Sequence, residues 1–162
     1  MPAVAKQFLF CKVFFLFIFH NAVIYNNSTY LVTMGERKNF ASGAEWEGIV
    51  GYSRAVRIGN VLEISGTVAT DGQGVVARGD YYAQTTYVLK KIEDVLKQAG
   101  FGLKDVVRTR MFAKDITHWE EIGKAHGEFF KDIKPATSMI GITSLIDPDY
   151  LVEIEVTAVL GT

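Results

Sequence analysis

The sequence contains almost no cysteine: Cys11 is the only one among its 162 residues. A disulfide framework and a CxxC redox or metal pair are therefore excluded. Surplus charge is missing as well, since 17 basic and 18 acidic residues leave a formal net charge of −1. Such a chain has no overall field that would gather phosphates, so we expect no nucleic-acid partner. Its length suffices for the core of one ordinary domain without metal or disulfide support.

Familiar catalytic motifs are missing too. No HExxH, GxSxG or GxxxxGKS/T pattern occurs in the sequence. The three histidines, His20, His118 and His126, do not have the spacing typical of metal ligands, so we expect no bound metal. The glycine-rich segment Asp71 to Gly74 lacks the strand and helix that flank a phosphate loop and is interpreted as a turn.

The first thirty-three residues differ in composition from the rest. They hold six of the eleven phenylalanines, and Lys6 and Lys12 are their only charged residues. A basic start and an apolar run fit a signal peptide, but no small-residue cleavage site follows. Lys12 and His20 also interrupt the stretch before it reaches the roughly 18 apolar residues of a membrane span.

Two interpretations of this segment stay open: translation begins at Met34, or residues 1–33 form a signal or anchor. We assign residues 1–33 to an apolar extension and residues 34–162 to a single domain, with its working part between about Gly48 and Leu160. A cytoplasmic location is expected if the extension is not used. Export or membrane anchoring is the alternative if it acts as a signal, whereas the folded domain itself is not expected to contact a membrane.

Turn and cap signals divide the domain into the order β-β-α-β-α-β-β. Gly59-Asn60 is a two-residue hairpin signal between two alternating segments. Asp80 is a helix N-cap, Gly100 ends that helix, and Thr117 to Glu120 has the spacing of a capping box for a second helix. The predicted elements are strands Ser53–Ile58 and Val61–Ser65, a helix from Tyr81 to Ala99, strand Val106–Ala113, a helix after Thr117, and strands Thr137–Leu145 and Leu151–Leu160.

Hydrophobic periodicity predicts which side chains are buried. On the second helix we expect burial of Trp119, Ile122 and Phe129, with His126 as a further candidate. On the strand that follows the first helix, Val107 is expected to share a face with Thr109. The stripe expected to be buried on the first helix is Tyr81, Thr85, Val88, Ile92, Val95 and Ala99.

The closing strand places apolar residues from Val152 to Leu160 on one face and Glu153 and Glu155 on the other. Two helices can cover only one face of the sheet, so we expect the acidic face to meet water or another subunit. Two carboxylates at positions i and i+2 repel, which favours a raised pKa or an arginine partner. Glu153 is thus a candidate acid or base. A salt bridge from the glutamates to Arg108 and Arg110 across a subunit contact is an equally open interpretation.

Several segments in order resemble the Rid (reactive intermediate deaminase) family, also called YjgF, many members of which carry the label L-PSP endoribonuclease. The resemblance covers nearly everything from Tyr52 to Val159. It implies a chorismate-mutase-like α+β fold with one mixed sheet, two helices on one face, and a homotrimer with small-molecule sites between subunits. It also implies hydrolysis of reactive enamines or imines without a metal or organic cofactor. The segments are Gly51 to Val56, Ile64 to Gly66, Gln84-Thr85, Asp105 to Thr109, Phe112 to Asp115, Phe129-Phe130, Pro135-Ala136 and Val152 to Glu155.

The resemblance also implies roles for individual residues. Glu153 matches the water-orienting glutamate, Tyr52 packs over the substrate, and Ser65 together with the backbone near Gly66 and Met139 holds it. The arginine that clamps the substrate carboxylate is replaced here by Thr137. Further departures at the site are Gly123, His126 and Thr67 in place of an asparagine, a tyrosine and a glutamine, and Arg54 and Arg110 in place of Gln or Thr.

Losing one bidentate clamp on a carboxylate costs about 2–5 kcal/mol, so ordinary 2-imino acids are doubtful substrates. We consider that Arg110 supplies a relocated positive charge near Glu153, with an interface salt bridge as the alternative. Three functions follow: an enamine or imine hydrolase, a non-catalytic trimeric protein that binds a small metabolite, and, ranked last, a ribonuclease. Thr137 and Gly123 favour the binding protein.

Overall fold

A computed structural model describes residues 35–161, which excludes the predicted N-terminal extension and Cys11. Three helices and eight strands form within these residues, together with two short 3-10 turns at Leu103–Asp105 and Ile116–His118. The helices are α1 (Glu45–Val50), α2 (Tyr81–Ala99) and α3 (Trp119–Phe130). The strands are β1 (Arg37–Phe40), β2 (Ala55–Ile58), β3 (Val61–Val68), β4 (Thr70–Asp71), β5 (Gly74–Val75), β6 (Val106–Ala113), β7 (Ala136–Gly141) and β8 (Val152–Val159).

Six strands form one mixed sheet in the order β1-β2-β3-β8-β6-β7. The β6–β7 pair is parallel and the other pairs are antiparallel. Helices α2 and α3 pack on one face, where α2 contacts β3 and β8. The predicted α+β architecture with two helices on one face is therefore confirmed, and α1 and β1 extend it at the N-terminal side.

Strand β8 runs through the middle of this sheet and shows the predicted two faces. Val152, Ile154, Val156 and Ala158 are buried beneath the helices. Glu153, Glu155 and Thr157 alternate with them and lie partly exposed on the opposite face. The register of this central strand determines which carboxylates are available for chemistry. A shift by one residue would move the apolar side chains to the open face and the carboxylates to the core.

Helix α2 begins and ends at the predicted residues. The Asp80 carboxylate accepts a hydrogen bond from the Ala83 N–H at 2.8 Å, and Gly100 adopts the left-handed conformation with φ 83°. The buried stripe is wider than predicted and includes Gln84, whose side-chain oxygen accepts a hydrogen bond from the Leu151 N–H at 2.9 Å. The complete buried set is Tyr81, Gln84, Thr85, Val88, Leu89, Ile92, Leu96 and Ala99, so Val95 lies at its margin.

The capping box predicted for α3 was wrong. Asp115 accepts hydrogen bonds from the Thr117 N–H at 2.9 Å and the Thr117 hydroxyl at 2.7 Å, so Thr117 lies in a 3-10 turn and α3 begins at Trp119. Trp119 is 57 % exposed, against expectation. Helical side chains lean towards the N-terminus, so a residue that opens a helix leans past its end. Ile122 is buried as predicted, and Phe129 is partly buried against the core.

The alternation of buried and exposed residues predicted for β6 was wrong at the start of the strand. The pairing of β6 with β8 shifts register between Val106 and Arg108. As a result Val106 is buried and Val107 is 45 % exposed, while Thr109 and Met111 face the core. A β-bulge places one extra residue in a strand, which moves the residues before it to the other face.

Candidate functional site

The central feature of the candidate site is a bulge in β3 at Ser65 and Gly66. The pairing of β3 with β8 shifts register between Ile64 and Thr67, and the pairing of β3 with β2 ends at Ile64. The Ser65 N–H donates to the Arg54 carbonyl at 3.1 Å, and the Ser65 hydroxyl donates to the Ser53 carbonyl at 2.7 Å. These bonds hold the bulge against the segment that enters β2.

Glu153 lies directly over this bulge. Its register partners are Val68 on β3 and Phe112 on β6, and its side chain extends back across the backbone of Gly66. A methyl group at Gly66 would overlap the carboxylate, with its carbon 2.7 Å from Glu153 Cδ. A side chain at position 66 would therefore displace the carboxylate from this place, whereas glycine leaves room for it.

The environment of Glu153 raises the pKa of its carboxyl above the ordinary value of 4.5. Burial is the largest cause, because a partly desolvated carboxylate loses hydration. The neighbouring Glu155 carboxylate adds to the rise, and the positive charge of Arg54 opposes it. The sequence predicted either a raised pKa or an arginine partner for two carboxylates on one strand face. Glu153 has the raised pKa, to which burial contributes more than repulsion.

Arg54 is the cation beside this carboxylate. Its Nη2 donates to the carbonyls of Ser65 and Gly66, the latter at 2.7 Å. Burial lowers the pKa of its guanidinium, and nearby Tyr52, Glu47 and Glu153 oppose that change. Sequence reasoning noted Arg54 as unusual without giving it a position. Its carbonyl partners lie eleven and twelve residues further along the chain, so no local pattern connects them.

Arg110, for which a charge near Glu153 and an interface salt bridge were the two interpretations, pairs with Glu155. Its Nη1 lies 3.4 Å from Glu155 Oε2 on the open face of the sheet. The two residues are register partners on β6 and β8, so the pair forms within one chain. Among residues 35–161, no ion pair joins Arg110 to Glu153. Arg54 is therefore the arginine whose charge acts on Glu153 in the single chain.

Thr137 and Met139 lie elsewhere, on the edge strand β7. The Thr137 hydroxyl donates to the Pro135 carbonyl at 3.0 Å and lies 2.9 Å from the Thr109 hydroxyl, which is itself 3.0 Å from His126 Nε2. Met139 is partly buried against the core. The side chains of both β7 residues share the helix side of the sheet with their register partners on β6, opposite to Glu153.

The strand register gives the distance between Thr137 on β7 and Glu153 on β8. Glu153 pairs with Phe112, and Phe112 pairs with Ile140, three residues beyond Thr137. Two strand spacings and three residues along a strand each span about 10 Å, so Thr137 and Glu153 are about 14 Å apart. One chain thus brings together Glu153, Gly66, Ser65 and Arg54, with Tyr52 beside Arg54, and keeps Thr137 and Met139 apart from them.

Groups of three or more His, Cys, Asp or Glu side chains suited to a metal ion are absent from the part of the chain that the structure describes. None of the helices described for residues 35–161 has the length and apolar character that crossing a bilayer requires.

The fold and the site together define a small α+β protein that holds one carboxylate over a glycine bulge in a half-covered mixed sheet. The model of the endoribonuclease L-PSP family matches residues 43–160, which is most of the chain. This protein therefore belongs to that family, and the resemblance to the Rid and YjgF proteins predicted from the sequence is confirmed.

Individual relatives agree with this assignment. An uncharacterised protein of Streptomyces coelicolor is 32% identical over 120 residues, covering 74% of this chain and 90% of the relative. The 3-aminoacrylate deaminase RutC of Acinetobacter baylyi is 35% identical over 104 residues, covering 64% and 82%. The crystal structure of Rv2704 from Mycobacterium tuberculosis, of the YjgF/YER057c/UK114 family, aligns with a TM-score of 0.71 at 46% identity, covering 77% of this chain and 100% of that one.

Proposed function

We propose that this protein is a hydrolase that converts reactive enamines or imines to a carbonyl compound and ammonia. The observation that supports the proposal most directly is the partly buried Glu153 carboxylate over the Gly66 backbone. One relative bears the name 3-aminoacrylate deaminase, and 3-aminoacrylate is an enamine. Family membership supports this general class of reaction, and the choice of substrate belongs to the proposal.

The reaction needs one proton carrier and good positioning. An enamine first takes a proton on carbon and becomes an iminium ion. Water then adds to the iminium carbon, with one of its protons passing to the Glu153 carboxylate and the C=N electron pair moving to nitrogen. The protonated carboxyl returns that proton to the nitrogen. The hydroxyl then gives its proton to Glu153 as the C–N bond breaks, so ammonia leaves, the carbonyl forms, and the protonated Glu153 can supply the proton for the next enamine. A carboxyl whose pKa lies above its ordinary value can perform both transfers more readily near neutral pH.

Ser65 and Tyr52 complete the proposed pocket. The Ser65 hydroxyl proton is committed to the Ser53 carbonyl, so Ser65 Oγ is left as an acceptor for a substrate N–H. Tyr52 is 37 % exposed and lies beside Arg54, where its ring can cover a bound molecule. Neither role requires a cofactor, because imines are reactive enough to need orientation more than activation.

The proposal includes a homotrimer with its sites between subunits. In one chain Thr137 lies about 14 Å and Met139 about 10 Å from Glu153, and both point to the opposite face of the sheet, so a small substrate cannot contact both groups unless β7 comes from a second copy. Val107 on β6 and Ile140 on the edge strand β7, each 45 % exposed, add apolar surface on the side of the sheet where the polar residues of β8 lie. Burying that face between copies would place Glu153 in a cleft.

A non-catalytic trimer that binds a small metabolite is the second candidate. The observation that favours it is Thr137, whose hydroxyl is bonded to Pro135 and Thr109 and offers no positive charge to a carboxylate. In this version the same pocket holds a neutral or weakly polar molecule, and Glu153 accepts a hydrogen bond without turnover.

The two candidates are separated by supplying imines of two kinds to the full-length chain. An amino-acid oxidase produces carboxylated imines, and an amine oxidase produces uncharged ones. We expect faster ammonia release than in buffer, with a greater acceleration for uncharged imines, because the carboxylate clamp is missing. Glu153→Gln should remove the acceleration and Glu155→Gln, two residues away on the same face, should retain it. No acceleration for either kind of imine would leave the binding protein as the function.

A further inference from the structure

A cavity of about 250 Å³ lies between the segment that precedes α1, the free edge of β3 and one side of α2. Glu153 is not among its lining residues, and Arg54 is the residue that the cavity shares with the candidate hydrolase site. Its volume is several times the roughly 30 Å³ that a water molecule occupies in the liquid, which is enough for a small organic or inorganic ion. Its polar lining consists of Ser42, Arg54, Thr67, Lys91, Asp94 and Gln98.

The two cationic side chains of the cavity, Arg54 and Lys91, donate hydrogen bonds to backbone carbonyls at the edge of β3 and just beyond it. Because β2 pairs with β3 only as far as Ile64, side chains take the place of a neighbouring strand beyond that point. Arg54 donates to two carbonyls of the bulge, and Lys91 Nζ donates to the carbonyls of Val68 at 3.3 Å and Thr70 at 2.7 Å. The backbone thus fixes both positive charges at one end of the cavity.

Both cations keep donors that these bonds do not use. Lys91 has three N–H donors and gives two to carbonyls. Arg54 has five, and its buried Nε has no hydrogen-bond partner among the described residues. Buried donors without a partner are uncommon, and one explanation for them is an ion that normally occupies the site.

The charge balance of the cavity favours an anion. Arg54 and Lys91 are opposed in the lining by one carboxylate, Asp94, which is exposed. The pKa of the Lys91 ammonium is lowered first by burial and second by the charge of Arg54, while Asp71 opposes the change. Two partly desolvated cations that repel each other are stabilised by a negative group placed between them.

We infer that this cavity binds a small anion, in the form of a carboxylate or phosphate group, through Arg54 and Lys91. Charge-assisted hydrogen bonds from the unused donors hold the anion, and Thr67, Ser42 and Gln98 complete its polar surroundings. The inference does not depend on imine hydrolysis, since none of its observations involves Glu153.

The test titrates the full-length chain with inorganic phosphate and separately with acetate, at constant ionic strength, by isothermal titration calorimetry. We expect saturable binding of at least one of them. The tighter of the two identifies the natural ligand as a phosphorylated or a carboxylated molecule. No saturable heat for either anion at millimolar concentrations would overturn the inference.

Four variants on α2 locate the site. Lys91→Gln should weaken binding about tenfold, the loss of one charge-assisted bond. Lys90→Gln, its exposed neighbour on the same helix, is the matched control and should bind as the original chain does. Asp94→Asn should strengthen binding a few-fold and Gln98→Glu should weaken it, and both residues are exposed on the helix. Equal affinity in all four variants would show that the anion binds elsewhere.

Discussion

A methyl group added to Gly66 would stand 2.7 Å from the carboxyl carbon of Glu153, closer than two such carbons approach in folded proteins. This relationship joins β3 to β8 at the one place where their pairing is irregular. The bulge turns the Gly66 backbone towards the open face, and the glutamate side chain occupies the room that a side chain at position 66 would need. The position of the carboxylate therefore depends on two residues that are 87 apart in the sequence (153 − 66).

Gly66→Ala should remove most of the proposed imine-hydrolase activity while leaving the fold in place. The new methyl group displaces the Glu153 carboxylate, whose side chain can swing towards solvent, so we expect a loss of stability at the low end of the roughly 1–3 kcal/mol that overpacking costs. Turnover should fall about a hundredfold, within the range that general acid–base catalysis contributes. Ammonia release and urea denaturation of the same preparation measure the two effects.

The matched control for this variant is Gly127→Ala in α3. A methyl group there meets no atom within 4 Å, so the change should stabilise the helix by about 0.5–1 kcal/mol and leave turnover unaltered. If both alanine variants lost activity equally, the contact between Gly66 and Glu153 would not be the cause.

The pKa of Glu153 predicts a change of stability with pH. Since the folded chain raises this pKa above the ordinary 4.5, folding favours the protonated carboxyl. Its stabilising contribution is complete below 4.5 and is lost as the pH rises through the higher folded value. The free energy of unfolding of the original chain, minus that of Glu153→Gln, should therefore decrease from about pH 4 towards pH 8.

Denaturation of both proteins across this range measures the difference. The groups that act on Glu153 are Glu155 on its own strand and Arg54 across β3. Glu155→Gln should move the transition to lower pH, because it removes the repelling charge. A difference that stays constant with pH would mean that folding does not change the pKa of Glu153.

Arg110→Gln should have a small effect on stability. The pair between Arg110 and Glu155 spans 3.4 Å, and its side chains are 44% and 37% exposed. Exposed pairs contribute about 1 kcal/mol or less. Arg78→Gln, which removes another exposed pair at 2.9 Å to Asp149, is the comparison.

Ligand affinity distinguishes the two roles proposed for Arg110. If it were the relocated positive charge of the site, affinity for a carboxylated ligand would fall about tenfold or more in Arg110→Gln and not in Arg78→Gln. Unchanged affinity together with weaker self-association, measured by analytical ultracentrifugation, would assign Arg110 to the subunit contact.

Thr137→Arg should increase activity on carboxylated imines. Position 137 is exposed on the edge strand, so a long side chain fits without disturbing the core, and Thr109 keeps its bond to His126. A guanidinium that forms two parallel bonds to a carboxylate should lower KM about tenfold or more. Thr137→Lys supplies the same charge without the planar fork and should give a smaller gain. An increase for uncharged imines as well would contradict this explanation.

The sequence predicted those parts of the fold that depend on neighbouring residues. The Gly59-Asn60 turn, the Asp80 cap with Gly100, and the two faces of β8 are all confirmed. Strand β1 was not predicted, because three of its four residues are polar and only its pairing with β2 makes it a strand. The bulge at Val106 was missed for the same reason, since it arises from pairing with β8.

The candidate site was predictable in part. Glu153 was identified by its place on the closing strand as well as by family resemblance, whereas Ser65 and Gly66 were identified by resemblance alone. The structure brings the three together. Their contact could not be derived from spacing, because it needs both the register of two strands and the bulge. The position of Arg54 depends on where β2 begins. Because the first residue of β2, Ala55, pairs with Ile64, the carbonyls of β3 beyond Ile64 have no strand partner on that side and can accept hydrogen bonds from the guanidinium. The roles of Thr137, Met139 and Arg110 in binding stay predictions.

Arg54 takes part in two sites of the molecule, since its charge acts on Glu153 and its side chain lines the cavity beside α2. A substitution at position 54 therefore affects both sites at once. A replacement that suits a new anion also changes the acidity of Glu153, and one that suits a new substrate also changes what the cavity holds. The residues around the two sites are therefore expected to vary together among relatives, because a change at position 54 that suits one site also alters the other.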